Sequence, residues 1–590
     1  MNDSGYWARL PGRRITRRRA LAAAGAGAAG LALAACGGKS EKVSSDIAVQ
    51  GGLAQPKDTS AIAVRGGVYK NVTTRDTQTF DVGATSNFTA YGAGSLIYSR
   101  ILKSKSGMGI PPVTAELDGD LAEGWEVGED GTRWTFRLRP NIKMHNVAPL
   151  NGRALDIEDV SLSWQRFAEK NPRRIRFDMV EKIETPDART ISYKLKFPYA
   201  PFGVIMADFS SFWVMPKEVA QEKVDYRGTG AGSGPWVLEE YRPSAYAVYR
   251  RHEDYFLPGL PYMDKVEYPI VSEYATRLAQ FKAGNIYEYT PIQNDVVNLR
   301  ADLPDALIYQ GDFTLGWPVI FQGRTDPVWK SNGDIRLRRA LSVAIDRDLY
   351  IDALYGVSDL QKAGFANIEA RWHNMVGAGW PWWLDPKSKE FGWPDKEPAK
   401  WLKYDPVEAK ALLSAAGYPN GIDSEVHYWS TFLAGGTFRM EVETTLGFWS
   451  DVGIRLKQVG SEQAEYLDKI VALGDFKGIT VSPSGEYNEV DSLIKAQWTL
   501  PSDRNPPGYD DPEFNAMFEK QRRTFDMNER KAIIWEMQKW LAQRMWYVPW
   551  GGQATSSFNF VRPWVQNVQV FRASPDSMIR RWMDPSKMKG

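Results

Sequence analysis

A single cysteine, Cys36, stands in a chain of 590 residues. No disulfide can form within the chain, so packing, hydrogen bonds and ion pairs must hold whatever it folds into. Histidines are nearly as scarce: His145, His252, His373 and His427 are the full set. No Cys/His spacing matches a zinc site and no cysteine–histidine pair offers a nucleophile, so neither a metal nor a cofactor is expected. The length requires two or three domains, each with its own core.

The position of the cysteine is as informative as its solitude. Arg9, Arg13, Arg14, Arg17, Arg18 and Arg19 precede an Ala/Gly/Leu run over 20–35. Thr16-Arg17-Arg18-Arg19-Ala20-Leu21 resembles the twin-arginine export signal. The apolar run is too short and too weakly apolar for a membrane span of about 20 residues. Leu33-Ala34-Ala35-Cys36 matches the bacterial lipobox, in which the cysteine becomes the mature N-terminus and carries lipid. Residues 1–35 therefore read as a signal peptide, Cys36 as the lipidation site, and the protein as exported, periplasmic or at the cell surface, and lipid-anchored to the membrane. Gly25, Gly27 and Gly30 spell a dinucleotide fingerprint, but a removable leader lacks the strand and helix that motif needs. Residues 36–64 are rich in Gly, Ser, Lys, Gln and Asp without periodicity, and read as a flexible tether.

Without residues 1–35, which hold six arginines and Asp3, the 73 basic and 72 acidic groups become 67 and 71, a net charge of −4. No basic surplus remains to neutralise phosphates, so nucleic acid is not expected as a partner, nor is electrostatic adsorption to a membrane.

The body begins near Val68. Trp125-Glu126-Val127, the turn Glu129-Asp130-Gly131 and the return Trp134 to Arg139 alternate apolar and polar residues as a hairpin does. Caps announce helices: Asp156 before Ile157 to Phe167, Asp405-Pro406-Val407-Glu408 before a helix ending at Gly417, and Asp511-Pro512-Glu513 before Phe514. Leu337, Leu341, Ile345 and Leu349 recur at four-residue spacing and predict one helix over Ile335 to Tyr355, closed by Gly356. Another is predicted near Asn528 to Arg544. The mixture is α/β, with more than one lobe.

Several of these stretches, kept in order, resemble the family 5 extracellular solute-binding proteins, the dipeptide, oligopeptide and nickel-binding class of bacterial ABC importers. Phe80-Asp81 followed by Tyr91 to Leu102, then Leu121 to Val127 with Trp134 to Arg139 and Asp156 to Phe167, carry the first half. Gly234-Pro235-Trp236-Val237-Leu238, Ile335 to Leu341 with Ala344 to Arg347, and Tyr404-Asp405-Pro406 through Gly417-Tyr418 carry the rest. The resemblance spans about Val68 to Pro563. It implies a two-lobed periplasmic-binding-protein-like fold of three domains about a hinged cleft. Domain I would comprise 65–102, 225–320 and 546–590, an inserted domain II 103–224, and domain III 321–545. A small solute, a peptide by family default and an oligosaccharide or opine-like compound otherwise, would be captured there and delivered to an ABC permease by a monomer. Closure needs a ligand that makes better contacts in the closed form.

In peptide-binding relatives the ligand lies extended between two strand-like segments. The matching segments are Ser86-Asn87-Phe88 and Ser482-Pro483-Ser484; an ordinary Ser/Asn turn is the plainer reading of each. Relatives pair an aspartate with the ligand ammonium, and Glu486 holds that register, against a solvated loop carboxylate as the alternative. The loop arginine that clamps a dipeptide's carboxylate in relatives is missing: Phe432-Leu433-Ala434 stand there, and Arg439 comes later. Trp317, Trp429 and Phe432 are cleft candidates by position. The 23 tryptophans include Trp372, Trp380, Trp382, Trp383, Trp393 and Trp401, read as pinning a long Gly/Pro-rich loop onto domain III rather than stacking on sugar. The rival reading is a secreted hydrolase. No G-x-S-x-G elbow is present, and His145 and His252 fall in stretches the family uses structurally, so no enzyme is expected.

Overall fold

The computed structural model describes residues 44–108, 116–311, 318–322, 326–329, 333–429, 437–462, 465–483, 489–502, 504–554, 557–569 and 575–588. Cys36, the leader, Trp317, Phe432, Ser484 and Glu486 lie outside them. Four sheets of three or more strands organise this part of the chain.

The hairpin forms as its alternation predicts: Ala122–Val127 pairs antiparallel with Arg133–Leu138, and Thr190–Leu195 and Val180–Asp187 complete the sheet. Its core, from Trp134, Phe136, Trp164, Phe177, Tyr193 and Phe202, draws on residues 101–214. Asp156 accepts from the Glu158 and Asp159 amides, and the Asp159 carboxylate returns to the Asp156 amide, a full capping box for the helix Ile157–Lys170.

A second sheet runs Trp236–Arg242, Tyr246–Arg251, Lys265–Pro269, Val68–Lys70. The strand Trp236–Arg242 starts after Gly234, where a Cβ would lie 2.4 Å from the Ile97 carbonyl carbon, so only glycine allows the strand this close to the helix Phe88–Ile97.

Ser557–Val561 lies between Glu288–Tyr289 and Leu307–Gly311 in a third sheet. The fourth runs Ile454–Ser461, Ile422–Trp429, Ile479–Pro483, Pro318–Gln322, Val548–Pro549. The last two strands extend the third domain's sheet to 318 on one side and 549 on the other, beyond the 321–545 boundaries expected from sequence. The core also crosses that boundary: Phe281, Tyr289, Ile308, Phe558 and Phe560 share a cluster with Leu341, Ile351 and Trp449.

Two further expectations are corrected. The tether reading fails for 44–64. Val49–Gln50 and Leu53–Ala54 form a hairpin, Leu53 and Ala54 are buried, and Thr59 donates to the Asn567 side chain through both its amide and its hydroxyl. Two apolar residues and one hydroxyl anchor a stretch whose composition reads as linker. The single helix over 335–355 is two, Ile335–Val343 and Arg347–Tyr355. Asp346 caps the second by accepting from the Leu349 amide, and buried Arg347 turns back to the carbonyls of Ser342, Leu402 and Pro549. Periodicity continues across the break because both helices face one core. Gly356 closes the second helix in the left-handed conformation, as expected.

The tryptophan-rich loop is packed inward. Trp372, Trp380, Trp382 and Trp401 are buried, with Arg530 over Trp382 and Arg339 over Trp401.

Candidate functional site

The chain passes twice between the third and fourth sheets, between 311 and 318 and between 549 and 557. The antiparallel pair 307–311/557–561 ends at Gly311 opposite Ser557, and the pair 318–322/548–549 begins with Val319 opposite Pro549. Paired crossings between two sheets are where a hinge absorbs rotation.

The carboxyl ends of the parallel strands Ile422–Trp429 and Ile479–Pro483, and the start of Pro318–Gln322, meet at one end of the fourth sheet. Carboxyl ends of parallel strands are where open α/β sheets take ligands. The Ile479–Pro483 strand is unevenly paired. Toward 318–322 its register continues through Ser482 and Pro483, whereas toward 422–429 it stops at Thr480. The sequence candidates Ser482 and Pro483 thus belong to a strand whose last residues have one paired edge. Trp429 ends the neighbouring strand and packs on Tyr466, Ile470, Val471 and Phe476.

On the other lobe, Asn87 caps the helix Phe88–Ile97 by accepting from the Thr89 amide at 2.8 Å, and its amide nitrogen donates to Gln78. Arg173 donates to the Ser86 carbonyl at 3.1 Å and lies over the rings of Phe88 and Tyr91. The segment Ser86–Phe88 is therefore held rigid by its own polar groups. Phe88 stays partly exposed and meets Phe209, ring centroids 6.1 Å apart.

Phe209 lines a cavity of about 240 Å³ along the same helix. Its polar wall is Asn71, Ser95, Tyr268, Glu288, Ser577 and Arg581. Arg581 pairs with Glu288 at 2.5 Å and donates to the Tyr69 hydroxyl at 2.8 Å. Burial works against the Arg581 charge, but the Glu288 carboxylate outweighs it and keeps the guanidinium ionised. Sequence reading missed these wall residues. One signal was available: Glu288 interrupts the apolar strand residues Tyr287 and Tyr289, and an acid buried in such a strand needs a partner.

The histidines are structural. His145 and His252 both contact the Gly234 carbonyl, each at 3.0 Å, with rings 4.8 Å apart, and His145 accepts from the Gly232 amide. Burial, and next the neighbouring His252, push His145 down to about 3. Among the described residues no group of three His, Cys, Asp or Glu side chains could hold a metal ion.

The α/β sheets in two lobes, with parallel-strand ends meeting at one end of the fourth sheet, make a periplasmic-binding-protein fold. Residues 116–503, well over half of the chain, match the family described as bacterial extracellular solute-binding proteins, family 5. The chain belongs to that family, whose members are the solute-binding components of ABC importers. It is 25% identical to heme-binding protein A of Haemophilus influenzae over 477 residues, 76% of this chain and 80% of that one. It is 25% identical to the dipeptide-binding protein of Escherichia coli over 485 residues, 76% and 82% of the two chains. A Helicobacter pylori ABC transporter-associated periplasmic binding protein solved with the peptide STSA superposes with a TM-score of 0.71 at 21% identity, covering 89% of this chain and all of the other. A binding protein from A. tumefacien R10 with agropinic acid gives 0.69 at 20% identity, covering 88% and 99%. Among the described residues no helix is long and apolar enough to cross a membrane.

Proposed function

We propose that this protein captures a peptide through the peptide's main chain and hands it to an ABC permease, working as a lipid-anchored monomer outside the cytoplasm. The observation that carries the reading is the end of the Ile479–Pro483 strand: among the described residues its edge toward 422–429 has no ladder partner past Thr480, and beyond the Val481 carbonyl, which the Tyr466 hydroxyl occupies, it suits an added extended chain. The peptide bound by the Helicobacter pylori neighbour and the dipeptide bound by the Escherichia coli relative agree with it. Ser86, Asn87 and Phe88 would meet the ligand from the first lobe, Trp317 from the crossing near 311–318, and Trp429, Phe432, Ser482, Pro483, Ser484 and Glu486 from the third domain. Arg439 does not serve as a carboxylate clamp, since it pairs with Glu443 at 2.9 Å on the exposed face of its helix. A peptide long enough to dispense with that clamp suits the site better than a dipeptide. The three-domain division, with hinges near 311–318 and 549–557, is part of this proposal.

Melting temperature measured with peptides of two to five residues tests it. A rise with peptide, and the peptide recovered uncleaved, is the expected result. No shift with any peptide, together with a shift on an opine or oligosaccharide, would move the protein to the opine- or sugar-binding reading.

A further inference from the structure

Glycine inside a helix costs about 1 kcal/mol relative to alanine. The helix Phe88–Ile97 contains two. Gly94 has a packing reason, because a Cβ there would lie 2.5 Å from Val82 Cγ1. Gly92 has none: it is exposed, and apart from its own stretch of helix no heavy atom lies within 4 Å of where its Cβ would stand. Gly92 borders the 240 Å³ cavity together with Ser95, Asn71, Tyr268 and Phe209.

The wall of that cavity selects against charge. Arg581 and Glu288 are nearly fully buried and already neutralise each other. An ionic group entering would lose its water with no counter-charge left for it. Hydrogen bonding is available instead. Ser95 donates to the Gly92 carbonyl, which leaves its oxygen able to accept. Among the described residues the Tyr268 hydroxyl has the Met578 sulfur, at 3.4 Å, as its acceptor, a weak one easily exchanged for a better. Phe209 and Leu96 supply apolar surface beside these groups.

We infer that this cavity is a ligand subsite for an uncharged hydrogen-bonding group, an amide or a polyol, and that Gly92 is kept free of a side chain to admit it. The inference rests on the capture function proposed above. Amide from a peptide side chain and polyol from a sugar-derived conjugate share that chemistry, and the probes separate them. Titration calorimetry on the intact purified protein would use Ala-Gln-Ala, Ala-Lys-Ala, Ala-Glu-Ala and mannopinic acid. At least one of the two neutral-group probes should bind at least tenfold tighter than the lysine and glutamate peptides, and the tighter of them names the source. Gly92→Leu should weaken that probe at least tenfold while the melting temperature holds or rises. Equal binding of the charged peptides, or unchanged binding by Gly92→Leu, overturns the subsite and leaves capture standing. A wild-type protein that binds none of the four overturns the subsite, and capture then stands or falls with the series of two to five residues.

Discussion

The Tyr199 hydroxyl donates to Asp491 Oδ2 at 2.5 Å, joining side chains 292 positions apart in sequence and both buried. The other oxygen of Asp491 accepts from Gln521 at 2.7 Å and faces Arg522 at 3.3 Å, while the Ala200 amide donates to the Arg522 carbonyl. Next to it Glu489 pairs with Arg530 at 2.5 Å beneath Trp382. The chain around Tyr199 is thereby tied to the start of the helix Val490–Trp498, a few residues after the strand end read as the binding edge.

Tyr199→Phe removes one donor from a buried carboxylate that keeps its other two partners. Stability should fall by about 1–2 kcal/mol, the cost of a lost buried hydrogen bond. Chemical denaturation checks this, and an unchanged midpoint would show that the contact contributes nothing.

Glu441 is buried and, among the described residues, accepts from the Tyr355 hydroxyl at 2.8 Å. Burial pushes its carboxyl up to about 7, against 4.5 when unfolded. The folded state therefore holds the proton more tightly. The contribution is complete below pH 4.5 and is lost as pH rises toward 7, by roughly 3 kcal/mol at most. Glu441→Gln should flatten this part of the pH–stability profile and make the variant the more stable protein at pH 8. Parallel profiles for the two proteins would mean the acid is ionised throughout.

Glu486 is the candidate partner of a ligand ammonium. Glu486→Gln should weaken an amine-bearing peptide by at least about tenfold, since hydrogen bonds to charged groups contribute about 1.5–3 kcal/mol. Affinity equal to wild type would remove Glu486 from the site.

Cys36→Ala should move the protein from the membrane pellet to the soluble fraction of fractionated cells and abolish labelling by radioactive palmitate. Continued membrane retention with no label in either protein would contradict lipidation at this residue.

Much of the frame could be read from the chain itself, because the signals are local. Asp156, Asp405 and Asp511 each cap the helix their spacing announces, since a cap needs only a side-chain oxygen within three residues of open amides. The hairpin at 122–138 follows from alternation alone. Where partners are distant in sequence, the chain was silent or misleading. Thr59 finds Asn567 and turns a linker-like stretch into packed structure. Arg347 reaches Leu402 and Pro549, and the long helix breaks. Arg581 meets Glu288 to build a cavity wall that no motif marks. Sequence by itself determined most of the elements and the family, whose physics runs along the chain. Only the tertiary structure decided which buried charges neutralise one another and where a helix glycine opens onto space, since both depend on groups brought together across hundreds of residues.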